Sequence, residues 1–247
     1  MIGGMLDAVK GCLKEEMRMD VISSNLANAT VVGFKKDKIS FQEILGDVQS
    51  RKAGAKGGGL EPADTALVRI KADHSPGDLR TTGNSLDLAI NGKGFFKVET
   101  RDGVQYTRRG NFTLDAGGNL VTQEGFKVVG AGGAITISGT GAQVDGSGAV
   151  KVDGNQVGQI QIVDFADYDG LMKAGNGLFS NPTRTPEVPV PAESRIAQGS
   201  LELSNVNMVD EMVAMIHCMR AFESYQKAIQ VLDGLDNRAV NEVSRLR

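Results

Sequence analysis

Few of the residues that carry chemistry are present. The chain has two histidines, two cysteines and no tryptophan in 247 residues. His74 sits in the turn-like Asp73-His74-Ser75-Pro76-Gly77, and His217 follows Ile216 in a helical pattern. Neither belongs to a His-Glu-x-x-His motif and no Cys-x-x-Cys occurs, so a zinc site is not expected and both histidines read as structural. Cys12 and Cys218 each fall in a helical pattern and read as buried thiols; a disulfide requires the two chain ends to meet. There is no Gly-x-Ser-x-Gly elbow. Gly92-Lys93-Gly94 lacks the upstream glycine and the Ser/Thr of a phosphate loop. The run Asp164, Asp167, Asp169 fails as a calcium loop, because that register puts Phe165 first and Asn176 twelfth.

Charge of one sign is also lacking. The net charge is −3 with signs mixed, which argues against a nucleic-acid groove and a polybasic membrane surface. No run approaches the ~18 apolar residues of a membrane span. Lys10, Lys14, Glu15, Glu16, Arg18 and Asp20 interrupt any apolar core of a secretory signal. Asp87 and Asp115 are available as a carboxylate pair, but among 30 acidic residues a turn or surface role is the stronger reading. Lys93, Arg108 and Arg109 near Phe95, Phe96 and Tyr106 suggest a stacking platform for single-stranded nucleic acid, which the missing basic footprint opposes. No catalytic residue, metal ligand or cofactor site is expected.

What the chain does have is a pair of helical ends. From Val206 to Arg247 there is no proline and the only glycine is Gly234. Apolar residues recur at Val209, Met212, Ile216, Met219, Phe222, Ile229 and Leu232, mostly in steps of three or four, the period of one helical face. About 37 such residues would span roughly 55 Å, long for a globular helix and suited to a coiled coil or bundle. Asn207 with Asp210 three places on reads as an N-cap with an acidic first turn. At the other end, Met5, Cys12, Met19 and Leu26 repeat every seven residues, with Val9 and Ile22 widening the stripe and Glu16 interrupting it. The expectation is that Met5, Val9, Cys12, Met19 and Ile22 pack against Val209, Met212, Ile216, Met219 and Phe222. Such a hairpin alone buries little against the entropy of ordering it, so further burial against other chains is expected.

Between these ends the glycines gather, and the pattern turns to short alternating runs cut by Gly, Asn and Asp. Strands are expected at Leu67–Lys71, Leu86–Ile90, Phe95–Glu99, Gln105–Arg108, Phe112–Leu114, Leu120–Val121, Lys127–Val129, Ala134–Ile137, Gln143–Val144, Val150–Val152 and Gln159–Asp164. Residues 39–45 suit a strand or helical turn, 54–59 a flexible linker, and Leu178–Ala192, with four prolines, an irregular return. The fold class is α+β: two terminal helices forming an antiparallel coiled coil, and a mainly β middle, barrel- or sandwich-like. The expected division is 1–34 helix and loop, 35–65 extended linker, 66–192 β domain and 193–247 return and helix.

Four segments carry a family resemblance. Ser24-Asn25-Leu26-Ala27-Asn28-Ala29-Thr30 with Gly33-Phe34-Lys35 resembles the N-terminal signature of bacterial flagellar rod and hook proteins, although Thr30 stands one place early. Thr82 to Phe96 and Tyr106-Thr107-Arg108-Arg109-Gly110-Asn111-Phe112 are similar to two central motifs of that family. Gly199 to Asn207, then Met212 to Ile216 and Arg220-Ala221-Phe222-Glu223, resemble its C-terminal motif. The segments lie in family order over nearly the whole chain. Within the family, the length and the Arg220–Lys227 segment are most similar to proximal-rod, FlgF-type members, with distal-rod, FlgG-type members second and hook proteins third.

The resemblance implies a non-enzymatic structural subunit of the flagellar basal-body rod. Its implied partners are copies of itself, other flagellar rod proteins and the flagellar type III export apparatus, with no nucleic acid and no membrane insertion. It implies a periplasm-spanning location reached without a cleaved signal peptide. Asn25, Asn28, Gly33, Phe34, Lys35, Asn205 and Asn207 would shape turns and subunit contacts. The competing readings are a secreted β-rich carbohydrate-active enzyme, which needs a carboxylate pair in a cleft, and a β-domain adhesin.

Overall fold

The computed structural model describes residues 2–42, 67–139 and 141–245. Two long helices bracket a region of short strands: α1 is Ile2–Ala27 and α2 is Met208–Arg245. Among the described residues every strand ladder is antiparallel. By contacts the chain divides into two units. One gathers Met1–Val21, Asp37–Ala72 and Cys218–Arg247; the other gathers Ile22–Lys36 and Asp73–His217.

In the first unit, Asp37–Gln42 pairs with Leu67–Ala72 in a two-stranded ribbon that sets Ile39 opposite Ile70 and Lys38 opposite Lys71. Leu67–Ala72, expected as the first strand of the β domain, thus belongs with the helical ends. Of the strand and the helical turn that 39–45 suited, the strand is present up to Gln42. The expectations for 43–45 and for the glycine linker 54–59 lie outside the described residues.

The helix segments of this unit touch across small and polar residues. A Cβ on Gly11 would stand 2.5 Å from the Tyr225 ring, and one on Gly4 would stand 4.0 Å from Leu232. Ala8, Glu15 and Cys218 are buried. The Cys218 thiol donates toward Glu15 O at 3.0 Å and Glu15 Oε2 at 3.1 Å. The paired numbers rise on α1 as they fall on α2. A glycine-and-alanine face lets two helix backbones approach closely, which pushes larger neighbouring side chains to the flanks.

The second unit is mainly β. Its ten-stranded sheet runs in order through Met172–Gly175, Leu178–Ser180, Gly103–Thr107, Phe95–Thr100, Lys127–Gly130, Leu120–Val121 and Thr113–Leu114, with three strands branching from that path. A three-stranded meander, Ala142–Val144, Ala149–Val152 and Asn155–Gln159, stands beside it. Asp153 and Gly154 both take left-handed φ, 50° and 84°, as a type I′ hairpin turn demands. Leu88, Ile90, Phe96, Val98, Val128 and Val150 form the centre of the core, each 1% exposed or less.

Two further ladders tie the C-terminal return to this unit. Arg195–Gln198 pairs with Leu88–Asn91, and Ser200–Glu202 pairs with Leu79–Thr81. The segment expected to be an irregular return is also partly strand. Leu178–Ser180 joins the main sheet, and Glu187–Val188 pairs with Ile162–Phe165. Its prolines sit between these short pieces, where no ladder needs their missing N–H.

Candidate functional site

Three segments of the β unit are tied at one polar knot: the signature loop Gly33–Lys36, the turn Asp73–Gly77 and the return Glu202–Asn207. The Gly33 amide donates to Glu202 O at 2.8 Å, and Asn205 N donates to Phe34 O at 3.4 Å. Lys36 N donates to Asn205 Oδ1 at 2.7 Å. The Asn205 amide group reaches Asp73 O at 2.8 Å and Ser75 O at 3.1 Å. Gly33 has φ +66°, and a Cβ there would stand 2.7 Å from Arg108 C, so the signature requires glycine at this place.

At the centre lies a buried ion cluster. Lys35 Nζ bonds Glu202 Oε1 at 2.6 Å and Ser75 O at 2.7 Å. Arg108 reaches Glu202 Oε2 at 3.2 Å, Gly92 O at 2.7 Å and Ile90 O at 3.3 Å. Gly77 N donates to Glu202 Oε1 at 2.9 Å. Lys35, Arg108 and Glu202 are 1%, 3% and 0% exposed. Burial pulls Lys35 and Arg108 below their ordinary values, and the Glu202 carboxylate opposes that pull. Glu202 thus receives two cations and a backbone amide, which is how a dry interior tolerates charge.

His74 packs on this cluster. Its ring lies 4.8 Å from Tyr168, 5.2 Å from Phe179 and 5.5 Å from Phe95, and its Nδ1 is buried without a hydrogen-bond partner. Burial, then the nearby charges of Lys35, Arg108 and Lys173, lower its pKa to about 4, with Asp73 acting the other way. Lys173 donates to Lys35 O and places its ammonium 4.2 Å from the Phe34 ring centre. The knot is architecture rather than a reaction centre: its charged groups are consumed by one another and by backbone.

The groups weighed for other chemistries are likewise occupied. Asp87 accepts from Thr82 Oγ1 at 2.6 Å and Asn84 Nδ2 at 3.1 Å, and Asp115 closes a turn on Gly117 N and Asn119 N, both at 2.8 Å. Phe95, Phe96, Tyr106 and Arg108 are all buried, so they offer no stacking face.

The predicted helix residues divide in a way the heptads do not indicate. Met5, Cys12, Met19, Ile22 and Leu26 on α1 are half-buried, as are Phe222 and Ile229 on α2. Val9 is 38% exposed. Val209, Met212, Ile216 and Met219 are 67%, 49%, 50% and 51% exposed, so this chain by itself does not cover them as expected. Glu15, rather than the expected interruption at Glu16, is the acidic residue buried on α1. A seven-residue period marks a stripe, but the face that closes most tightly is the one with the smallest side chains.

Asn28 Nδ2 donates to Ser24 O at 2.8 Å at the end of α1, and Asn25 is buried. Asn207 caps α2, its Oδ1 taking the Val209 amide at 3.0 Å. Glu211 in the first turn is buried and bonds Lys36 at 3.1 Å. The pairing of Lys35 and Arg108 with Glu202, up to 167 residues apart, has no local signal in the sequence.

Three family profiles match in chain order. Residues 11–35 match the flagella basal body rod protein family. Residues 89–162 match the flagellar hook protein FlgE/F/G D1 domain, and 197–242 the flagellar basal body rod FlgEFG protein C-terminal. The FlgG protein of Bacillus subtilis (strain 168) is 34% identical over 98% of this chain and 99% of its own length. The chain belongs to the flagellar basal-body rod family. Two FlgF proteins are also similar, that of Caulobacter vibrioides at 35% identity over 92% of each chain and that of Rhizobium meliloti at 31% over 99% of each. Membership makes this a structural component of the flagellar basal body, not an enzyme. The Gly33-Phe34-Lys35 loop closes the first matched segment, and Glu202 and Asn205 fall in the last.

Proposed function

We propose that this chain is a proximal-rod subunit that assembles helically with copies of itself and other rod proteins, transmits torque and lines the export channel. In this reading α1 and α2 form an antiparallel coiled coil in the core of the rod, and the mainly β unit is barrel- or sandwich-like. The chain is delivered by the flagellar type III apparatus to a position spanning the periplasm. One observation carries the proposal: Val209, Met212, Ile216 and Met219 form an apolar face about half exposed or more along α2. An apolar stripe of that length, unfilled by its own chain, is an assembly surface. Contacts between unlike faces of identical subunits build open helical filaments. The small and polar residues between the helices and the large apolar ones outside suit a hairpin that is one layer of a larger bundle.

The proximal position is favoured by the length and by the Arg220–Lys227 segment. FlgF and FlgG proteins match at comparable identity, so position is decided by experiment. Deleting the gene and imaging basal bodies tests it: rods that stop near the base place the subunit proximally. Rods truncated only at their outer end assign it to the distal rod, and complete rods with hooks refute a rod role.

A further inference from the structure

We infer that the β unit carries both a knob and a socket for a second copy of this chain: Met172 of one copy enters a groove beside Val190 of the next. This rests on the proposed assembly of the chain with copies of itself. The groove has a volume of about 380 Å³, and Ile162, Val190, Pro191 and Ala131 line it together with polar Ser147 and Gln161. It opens where a ladder ends. Asp164 pairs with Val188 and Phe165 with Glu187, and the same register would set Ile162 opposite Val190. Pro189 and Pro191 flank Val190 and bring no N–H to a ladder, so the pairing stops and a gap follows. Ile162 and Val190 meet over Gly94, where a Cβ would stand 2.8 Å and 2.7 Å from them. None of the described residues lining the groove is charged, so it suits an apolar insert with uncharged neighbours.

The β unit offers such an insert. Among its described strand residues, the exposed large apolar side chains are Met172 at 61%, Val104 at 48%, Leu79 at 42% and Val157 at 41%. Val104 follows Arg101 and Asp102, and Leu79 lies between Asp78 and Arg80, so either would bring charge to an uncharged rim. Val157 belongs to the strand that supplies Gln159 to the groove wall, and so is part of the socket. Met172 has buried Leu171 before it and Ala174-Gly175 beyond, while Lys173 is engaged with Lys35 O and the Phe34 ring. Its unbranched thioether side chain adapts to an irregular gap. Between Met172–Gly175 and Ile162–Phe165 the sheet runs through Leu178–Ser180, Gly103–Thr107 and Phe95–Thr100. Those four ladder spacings amount to about 19 Å, so Met172 does not fill the groove of its own chain. Knob and socket are different patches of one unit. A contact between unlike patches does not close on itself and builds an open row of copies.

The test uses the full-length chain carrying Cys12→Ala with Met172→Cys and Ala192→Cys, the last two at exposed positions, one on the knob and one on the groove. Cys218 is retained; burial pushes its thiol up to about 11, which keeps it poorly reactive toward maleimides. In isolated basal bodies a short bis-maleimide should join copies of the doubly substituted chain into dimers and larger multimers. A chain with only one of the two new cysteines should give none. Ala192→Cys alone should react with a simple maleimide in the purified chain and lose that reaction in isolated rods. A doubly substituted chain that is present in rods yet gives no multimers overturns the inference and leaves the rod role intact. Multimers formed as readily with one new cysteine as with two do the same, and so does equal labelling of Ala192→Cys in both states. Absence of the unsubstituted chain from basal bodies refutes the rod reading itself, and the inference with it.

Discussion

The β unit and the helical ends put their apolar residues on opposite sides. In the β unit the large side chains are inside: Phe95, Phe96, Val98 and Val128 are all 1% exposed or less. Along the helices the small and polar residues are inside, while Leu6, Leu13, Val209 and Ile216 are half exposed or more. The two regions draw on one chain of ordinary composition, 40% hydrophobic, so composition does not distinguish them. The distinction lies in what completes each region. The strands close their large aromatic and aliphatic core and pair Lys35 and Arg108 with Glu202 within the chain. The helical ends satisfy only a narrow seam and present the rest for something else to cover.

Four substitutions and conditions would break or sharpen that contrast, from the largest expected effect on the isolated chain to the smallest. Phe96→Ala should destabilise the β unit by about 3–5 kcal/mol, the usual cost of emptying a filled aromatic site, read from the denaturant midpoint. A shift below 1 kcal/mol would mean that this core is not closed. Glu202→Ala should cost about 3–5 kcal/mol, because Lys35 and Arg108 would lose their shared counter-ion. It should also release the Gly33 and Gly77 region, seen as faster amide exchange there than at Val98. Uniform exchange across the unit would contradict a local knot.

Acid should act on the same place more gently. His74 has a folded value near 4, below the ordinary 6.5, so the unfolded chain takes up the proton first. The stability it contributes is complete above about pH 6.5, falls as pH drops toward 4 and is flat below that. The expected loss is about 1–3 kcal/mol. His74→Phe, which keeps the ring packing, should remove this slope from the difference between denaturation curves at pH 7 and pH 4.5. Equal slopes in both proteins would assign the acid sensitivity elsewhere. The smallest effect on the chain should come from Met212→Asp, within about 0.5 kcal/mol for an exposed site. In cells that variant should still be made and folded but should fail to enter rods. Normal swimming would contradict an assembly role for the α2 face.

The sequence made some of these features legible and hid others for definable reasons. Asn207 marked the start of α2 because capping is local, and Asn25 to Asn28 marked the end of α1 for the same reason. Most strands between Phe95 and Val152 were visible, since alternation and Asp-Gly turns act over a few residues. The strands at Arg195–Gln198 and Ser200–Glu202 were not, because their partners lie more than 100 residues earlier and their own composition is mixed. The ion cluster was hidden for a stronger reason. A lysine, an arginine and a glutamate look solvated until the fold closes over them. On the helices the heptads marked a stripe but could not say whether the chain itself or a neighbour covers it. The deciding signal, Gly4, Ala8 and Gly11 on one face, was present but reads as low helix propensity rather than as an interface.

The position of Glu202 in the chain has a consequence in time. The carboxylate and carbonyl that hold Gly33, Lys35, Gly77 and Arg108 belong to a residue that follows all of them by more than 90 positions. A chain emerging from its N-terminus, whether from a ribosome or a narrow conduit, therefore cannot lock its signature loop until four-fifths of its length is out. Until then the first crossing segments stay open and threadable. The last strand before α2 acts as a clasp that snaps shut only when α2 is about to appear.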